Sequence, residues 1–257
     1  MSRESRVFGL HAVTAALRND PENVTRLLVD RGRHDRRLKE VLELAREHGV
    51  RVEQVDARQL EREAGSDRHQ GVVVRYQAPE ALGEEALDDI LATHPQPLLL
   101  VLDSVTDPHN LGACLRTADA AGVAAVIVPR DKAVGLTPTV RKVACGAAES
   151  VPFIQVTNLA RTLDSLKQQG LWVIGAAGEG AAELYDVDFT GGCVLVMGAE
   201  GSGMRRLTRE HCDHLVRIPM RGQVESLNVS VATGICLYEA LRQRGVASSR
   251  SQAAGQP

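Results

Sequence analysis

The stretch Leu98-Leu-Leu-Val-Leu-Asp103-Ser-Val-Thr-Asp107-Pro-His-Asn110-Leu-Gly-Ala-Cys-Leu-Arg116 passes from an unbroken apolar run through a polar loop into a helical pattern. A strand that must be buried on both faces shows no polar alternation, so the run at 98–102 predicts a strand inside a sheet covered by helices. Residues 124–128, 171–175, 194–197 and 215–219 are also strand-like, and helical stretches separate them. The succession predicts an α/β domain with a mostly parallel sheet. In such sheets ligands bind beyond the carboxyl ends of strands, so chemistry is sought in the loops that follow the apolar runs.

Upstream, residues 24–29, 50–55 and 71–76 are β-branched and read as strands. Between the first two, Leu38, Val41, Leu42 and Ala45 recur at helical spacing before Gly49. This predicts a small α/β domain over residues 1–78. Residues 79–97 hold three prolines and the acids Glu80, Glu84, Glu85, Asp88 and Asp89, the composition of a linker around one short helix. The larger domain then occupies 98–245, its last helix running from about 226 to 244. Residues 246–257 carry too little apolar surface for a core and read as a disordered tail.

The chain has 257 residues, 44% of them hydrophobic, enough for substantial cores. No run approaches the roughly 20 apolar residues of a membrane span, and the start lacks the apolar core of a signal peptide, so a cytoplasmic location is expected. Five widely spaced cysteines, with no Cys-x-x-Cys pair, suit buried small residues better than a disulfide framework or a zinc site, and no metal is expected. The net charge of −3 does not itself point to nucleic acid, yet Arg31, Arg33, Arg36, Arg37 and Lys39 cluster within nine residues. Aromatics at 3% are too few for stacked platforms on single-stranded RNA.

Three loops stand out. After the strand at 98–102, Asn110 has the side chain of a helix N-cap, and Arg116 lies six residues on. From spacing alone Arg116 also reads as a surface arginine paired with Asp119. After 194–197 comes Gly198-Ala-Glu200-Gly201-Ser-Gly203, where glycines between strand and helix allow close backbone approach to a ligand. As a bare pattern it is equally a tight turn, and Glu200 would repel a pyrophosphate. After 215–219 comes Met220-Arg-Gly-Gln-Val-Glu-Ser226-Leu-Asn228-Val-Ser230, in which Ser226 can cap the final helix and Asn228 and Ser230 fall in its first turn. Capping explains Ser226 and leaves Asn228, a poor helix former, unexplained.

Taken in this order, Asn110-Leu-Gly-Ala-Cys-Leu-Arg116, Met197-Gly-Ala-Glu-Gly-Ser-Gly203, and Ile218-Pro-Met with Ser226-Leu-Asn-Val-Ser-Val-Ala232 resemble the SpoU family of RNA ribose methyltransferases, within the SPOUT superfamily. The likeness spans residues 6–244. Phe8-Gly-Leu-His-Ala-Val13 and His69-Gln-Gly-Val72 are similar to the family's substrate-binding domain of ribosomal-protein L30 type. Lys142-Val-Ala-Cys-Gly-Ala-Ala-Glu-Ser150 and Arg205-Arg-Leu-Thr-Arg-Glu-His-Cys212 point to the branch that methylates guanosine in 23S rRNA. The resemblance implies a deep carboxyl-terminal trefoil knot, a homodimer with its site completed near the subunit interface, and S-adenosylmethionine as cofactor. Backbone around Gly198, Ile218 and Leu227 would hold that cofactor. Arg116 would be central to catalysis, with Asn110, Glu200, Ser226 and Asn228 around it.

An arginine is protonated at neutral pH, so clamping a phosphate and stabilising developing alkoxide charge suit Arg116 better than unaided base catalysis. Under the same reading the cluster at 31–39, with Arg130, Lys132, Arg141 and Lys142, becomes a phosphate-contact surface. In the third loop Arg221 and Glu225 stand where relatives often carry small residues. Three alternatives stay open: a tRNA methyltransferase of the same family, an RNA-binding relative without catalysis, and a nicotinamide-dependent oxidoreductase, the last opposed by the missing Gly-x-Gly-x-x-Gly.

Overall fold

The computed structural model describes residues 4–19, 21–77 and 81–254, and packing divides them into two units. The first begins with β1 (Glu4–Phe8), α1 (Leu10–Asn19), β2 (Val24–Asp30), α2 (Arg36–Glu47), β3 (Val52–Val55), α3 (Ala57–Ala64) and β4 (Val72–Gln77). The sheet order is β1-β4-β2-β3, with β4 antiparallel to β1 and β2, and β3 parallel to β2. Asp35 and Asp56 cap α2 and α3, accepting backbone N–H bonds of 3.1 and 2.8 Å, so each helix start is written in the sequence. Leu38, Val41 and Ala45 of α2 pack with Val13 and Leu17 of α1 on Leu27, Val72 and Val74, as the helical spacing predicts.

The second unit runs through α4 (Ala86–Thr93), β5 (Leu98–Asp103), α5 (Pro108–Ala120) and β6 (Ala125–Pro129). After β6 the chain leaves it: α6 (Pro138–Ala144) and α7 (Ala147–Ser150) belong by packing to the first unit, α6 against β1 and α7 against α1. There Arg141 and Glu149 form a 2.7 Å ion pair, their side chains 3% and 5% exposed, and the guanidinium lies 5.5 Å from the Tyr76 ring centre. Breaking such a pair on one side strands a buried charge, at a cost of about 3–5 kcal/mol. Arg141 is therefore not available to a phosphate, and the expectation that it forms part of an RNA-contact surface is corrected. Its spacing from other basic residues could not reveal that its partner, Glu149, lies eight positions on in the same segment.

The chain returns with β7 (Phe153–Val156), α8 (Leu159–Gln168), β8 (Trp172–Ala176), β9 (Ala182–Glu183), β10 (Cys193–Gly198), α9 (Arg206–Glu210), β11 (His214–Arg217) and α10 (Val229–Ala254). The seven strands lie in the order β7-β6-β5-β10-β8-β11-β9, every neighbouring pair parallel. Leu99, Val101, Val173, Val194 and Val196 pack on one face with Leu87 of α4 and Leu159, Leu163 and Leu166 of α8. The other face carries α5 and α10, which also pack on each other. The segment expected as a linker is docked: Leu82 bridges Ile154, and the Glu84 carboxylate accepts from Arg161 at 3.0 Å and Thr162 at 2.8 Å.

The last helix differs from expectation at both ends. It begins at Val229 rather than near 226, and it continues to Ala254 through residues expected to be a disordered tail. Once a helix is nucleated each added residue costs little, and Ala, Arg and Gln are good helix formers.

Candidate active site

The site forms where three loops leave the carboxyl ends of β5, β10 and β11. In the first, Asp107 rather than Asn110 caps α5, accepting the His109 N–H at 3.1 Å, with Pro108 at the first helical position. Asp-Pro fixes this start, because proline needs no partner for a missing N–H and pushes its predecessor into extended backbone. Asn110 is thereby released from capping, and it sits inside the first turn with only 8% of its surface exposed.

The second loop is a closed turn. Ala199 and Gly203 exchange backbone bonds of 3.1 and 2.9 Å, and Gly201 and Gly203 adopt positive φ. A Cβ at Gly198 would stand 2.2 Å from the backbone of Gly203 and Met204, so the glycine lets the two ends of the loop meet. The turn is tied to β5 from outside. Asp103, fully buried and beside Gly198 in the sheet, accepts the Arg205 backbone N–H at 2.8 Å, the Arg205 Nε–H at 2.6 Å and the Ser104 hydroxyl at 3.1 Å.

In the third loop Asn228, not Ser226, caps α10. Its Oδ1 accepts the N–H of Ser230 at 2.9 Å and of Val231 at 3.4 Å, and the Ser230 hydroxyl at 2.5 Å. The residue that looked anomalous as a helix former is the cap itself. Its Nδ2 points the other way, donating to Asn110 Oδ1 at 2.9 Å and to Glu200 Oε1. Glu200 also accepts the Val229 N–H at 3.3 Å, placing a carboxylate against the positive end of the last helix. One amide thus joins all three loops.

Beside this junction lies a pocket of about 490 Å³, whose wall includes Gly198, Glu200, Ile218, Ser226 and Leu227. Asn110 and Asn228 support it from behind, with no place in the wall themselves. Arg116 is exposed on α5 and also lies outside the wall. At 3.6 residues per turn it stands roughly 240° round the helix from Asn110 and about 9 Å further along it, so the two do not share a face. A fourth loop completes the wall. Ala176-Ala-Gly-Glu179 follows β8 as the others follow their strands, and Glu179 is ion-paired with Arg209. Sequence reasoning passed over this loop, although Gly178 and Gly180 flank its carboxylate as glycines flank Glu200. The charged wall residues are Glu179, Glu200, Glu225 and Arg209, an acidic balance that favours a cationic ligand.

Comparison with known proteins agrees with this geometry. Residues 97–238 match the SpoU rRNA Methylase family, and residues 6–82 match the family described as RNA 2'-O ribose methyltransferase substrate binding. The chain is 59% identical over 245 residues to the 23S rRNA (guanosine-2'-O-)-methyltransferase RlmB of Pseudomonas aeruginosa, a match covering 95% of this chain and 98% of that protein. It is 58% identical over 245 residues to the protein of the same name from Pseudomonas syringae, with the same coverage of both. Among solved structures it resembles the SpoU methyltransferase AviRb of Streptomyces viridochromogenes in complex with the cofactor AdoMet. That likeness has a TM-score of 0.79 at 28% identity, over 95% of this chain and 91% of that one.

Proposed function

This chain belongs to the SpoU rRNA methylase family, and from that premise we propose that it transfers a methyl group from S-adenosylmethionine to the 2'-hydroxyl of a guanosine in 23S rRNA. The observation that carries the reading is the single amide of Asn228 that joins the first, second and third loops beside an acidic pocket of about 490 Å³. Pockets of a few hundred Å³ suit a ligand of cofactor size, and the carboxylates fit a sulfonium and an ammonium where they would oppose a pyrophosphate. The relatives' names support the guanosine target.

When bound, S-adenosylmethionine supplies an electrophilic methyl carbon. The backbone at Gly198, Ile218 and Leu227 would hold it, with Ser226 beside them in the pocket wall. A ribose hydroxyl is a weak nucleophile at neutral pH, so the site has to align the oxygen and balance the charge that develops on it. Arg116 supplies that charge as a permanent cation, holding the neighbouring phosphate and the forming alkoxide. Glu200, fixed by Asn228 and the first turn of α10, keeps a carboxylate in the pocket wall. Asn110 keeps Asn228 in register. The protein acts as a homodimer in the cytoplasm, with the site completed near the subunit interface, and the family's knotted path of the last segments holds the pocket loops together.

The test is methyl transfer from labelled S-adenosylmethionine to 23S rRNA transcripts, with the product ribose mapped. Arg116→Ala is expected to lower turnover by at least a hundredfold while cofactor affinity changes less than about threefold, on the scale of one lost electrostatic contact. Near-normal turnover in that variant would remove Arg116 from the mechanism. Absence of any affinity for S-adenosylmethionine, with or without RNA, would remove the assignment.

A further inference from the structure

We propose that Arg205 is an RNA-anchoring residue, its guanidinium held by buried Asp103 so that the outer edge faces a phosphate of the substrate. The inference rests on the methyl-transfer reading above and adds a contact to it. The pocket wall carries three carboxylates and one arginine, and that arginine is ion-paired with Glu179. A polyanion approaching such a wall is repelled unless cations stand just outside it.

Arg205 meets this need. It directly follows Met204, which lines the pocket, at the exit of the glycine turn. Its Nε donates to Asp103 Oδ1 at 2.6 Å and its backbone N–H donates to Oδ2 at 2.8 Å. Both carboxylate oxygens are therefore used, while Nε is the guanidinium nitrogen that bonds Asp103. The side chain is 39% exposed while Asp103 is wholly buried, so the pair is fixed at its inner end and open at its outer end. Here the carboxylate spends one oxygen on the main chain, which locks the loop and orients the remaining Nη donors. An arginine already oriented loses less rotamer freedom when it meets a phosphate.

The experiment compares wild type with Arg205→Gln and Arg205→Lys. Neither substitution removes the main-chain donor to Asp103, Lys keeps a cation beside that buried carboxylate, and thermal melts check that both variants are folded before binding is compared. Affinity for a 23S rRNA fragment is measured across salt concentration, and affinity for S-adenosylmethionine is measured separately. Arg205→Gln is expected to weaken RNA binding on the order of tenfold and to reduce the slope of log affinity against log salt by about one phosphate contact. Cofactor affinity should stay within about twofold, so that KM for RNA rises more than kcat falls. Arg205→Lys should keep the salt slope, with an intermediate affinity. An unchanged slope and RNA affinity in Arg205→Gln would overturn the proposal. So would loss of cofactor binding with RNA binding intact, which would mark a purely structural clamp. A wild-type protein with no salt-dependent RNA affinity would remove the methyl-transfer reading as well, a failure distinguishable from that of Arg205 alone.

Discussion

Asn228 uses the two ends of one amide for different purposes. The oxygen closes the start of α10, and the nitrogen reaches Asn110 and Glu200. Serine caps a helix about as well as asparagine, but it has no second group to send across to the other loops. Asn228→Ser is therefore expected to keep the cap but leave the buried Asn110 oxygen without its donor, a loss of about 1–3 kcal/mol, while lowering single-turnover methylation at least tenfold, since Glu200 and Asn110 lose their common partner. Thermal melting and single-turnover kinetics check the two halves, and a variant with normal turnover would show that the bridge is dispensable. Three of the cysteines, by contrast, are held as thiols. Burial pushes the thiols of Cys212 and Cys236 up to about 12 and that of Cys114 up to about 11, where thiolate is scarce at neutral pH.

At the scale of elements, α10 both opens the site and fastens the far end of the unit. Arg244, near the middle of the helix, donates to the carbonyls of Phe189 at 2.9 Å, Gln96 at 2.9 Å and Gly191 at 2.6 Å, gathering loops that carry no helix or strand bonds of their own. One turn earlier Glu239, nearly buried, accepts from Arg242 at 2.8 and 2.7 Å and from Gln243 at 2.8 Å. The Arg242 guanidinium in particular holds its carboxyl below the usual carboxylate range. A folded value lower than the unfolded one means stability that is present above the unfolded value and disappears as pH falls through the folded one. Glu239→Gln should therefore be less stable than wild type at neutral pH and lose less on acidification, as denaturant melts between neutral pH and pH ~3 would reveal. Parallel curves would exclude Glu239 as an acid-sensitive contact.

Most of these elements were legible because their signals are local. The uninterrupted run at 98–102 announces a doubly covered strand, and Leu38, Val41 and Ala45 announce the inner face of α2. The caps were read less well. Asn110 and Ser226 were each three positions or fewer from the true caps, Asp107 and Asn228, and choosing between neighbouring cap-forming residues depends on tertiary contacts that no window of sequence contains. Of the expected site residues, Gly198, Glu200, Ile218, Ser226 and Leu227 line one pocket. Asp103 and Glu179 escaped notice because their partners, Arg205 and Arg209, lie 102 and 30 positions away.

For the whole molecule, the outer face of α10 carries Val231, Tyr238 and Leu241, exposed by 51%, 51% and 40% and spaced to share one side of the helix. Such a stripe on the helix that starts at the active site supports a second copy packing there. Sedimentation is expected to give about twice the chain mass of 27.7 kDa, and a fully active species at the single-chain mass would contradict the dimer. No described helix is long and apolar enough to cross a membrane.

The borrowed hairpin of α6 and α7 has a consequence for biosynthesis. The first unit needs Arg141 and Glu149 to cover Tyr76, yet they are translated about 70 residues after its last strand, a delay of several seconds at roughly 5–20 residues per second. A nascent chain halted just after β4 would lack the segment that packs on that aromatic ring, so the amino-terminal unit finishes only when the ribosome has already made β5 and β6, the first two of the seven strands of the catalytic sheet.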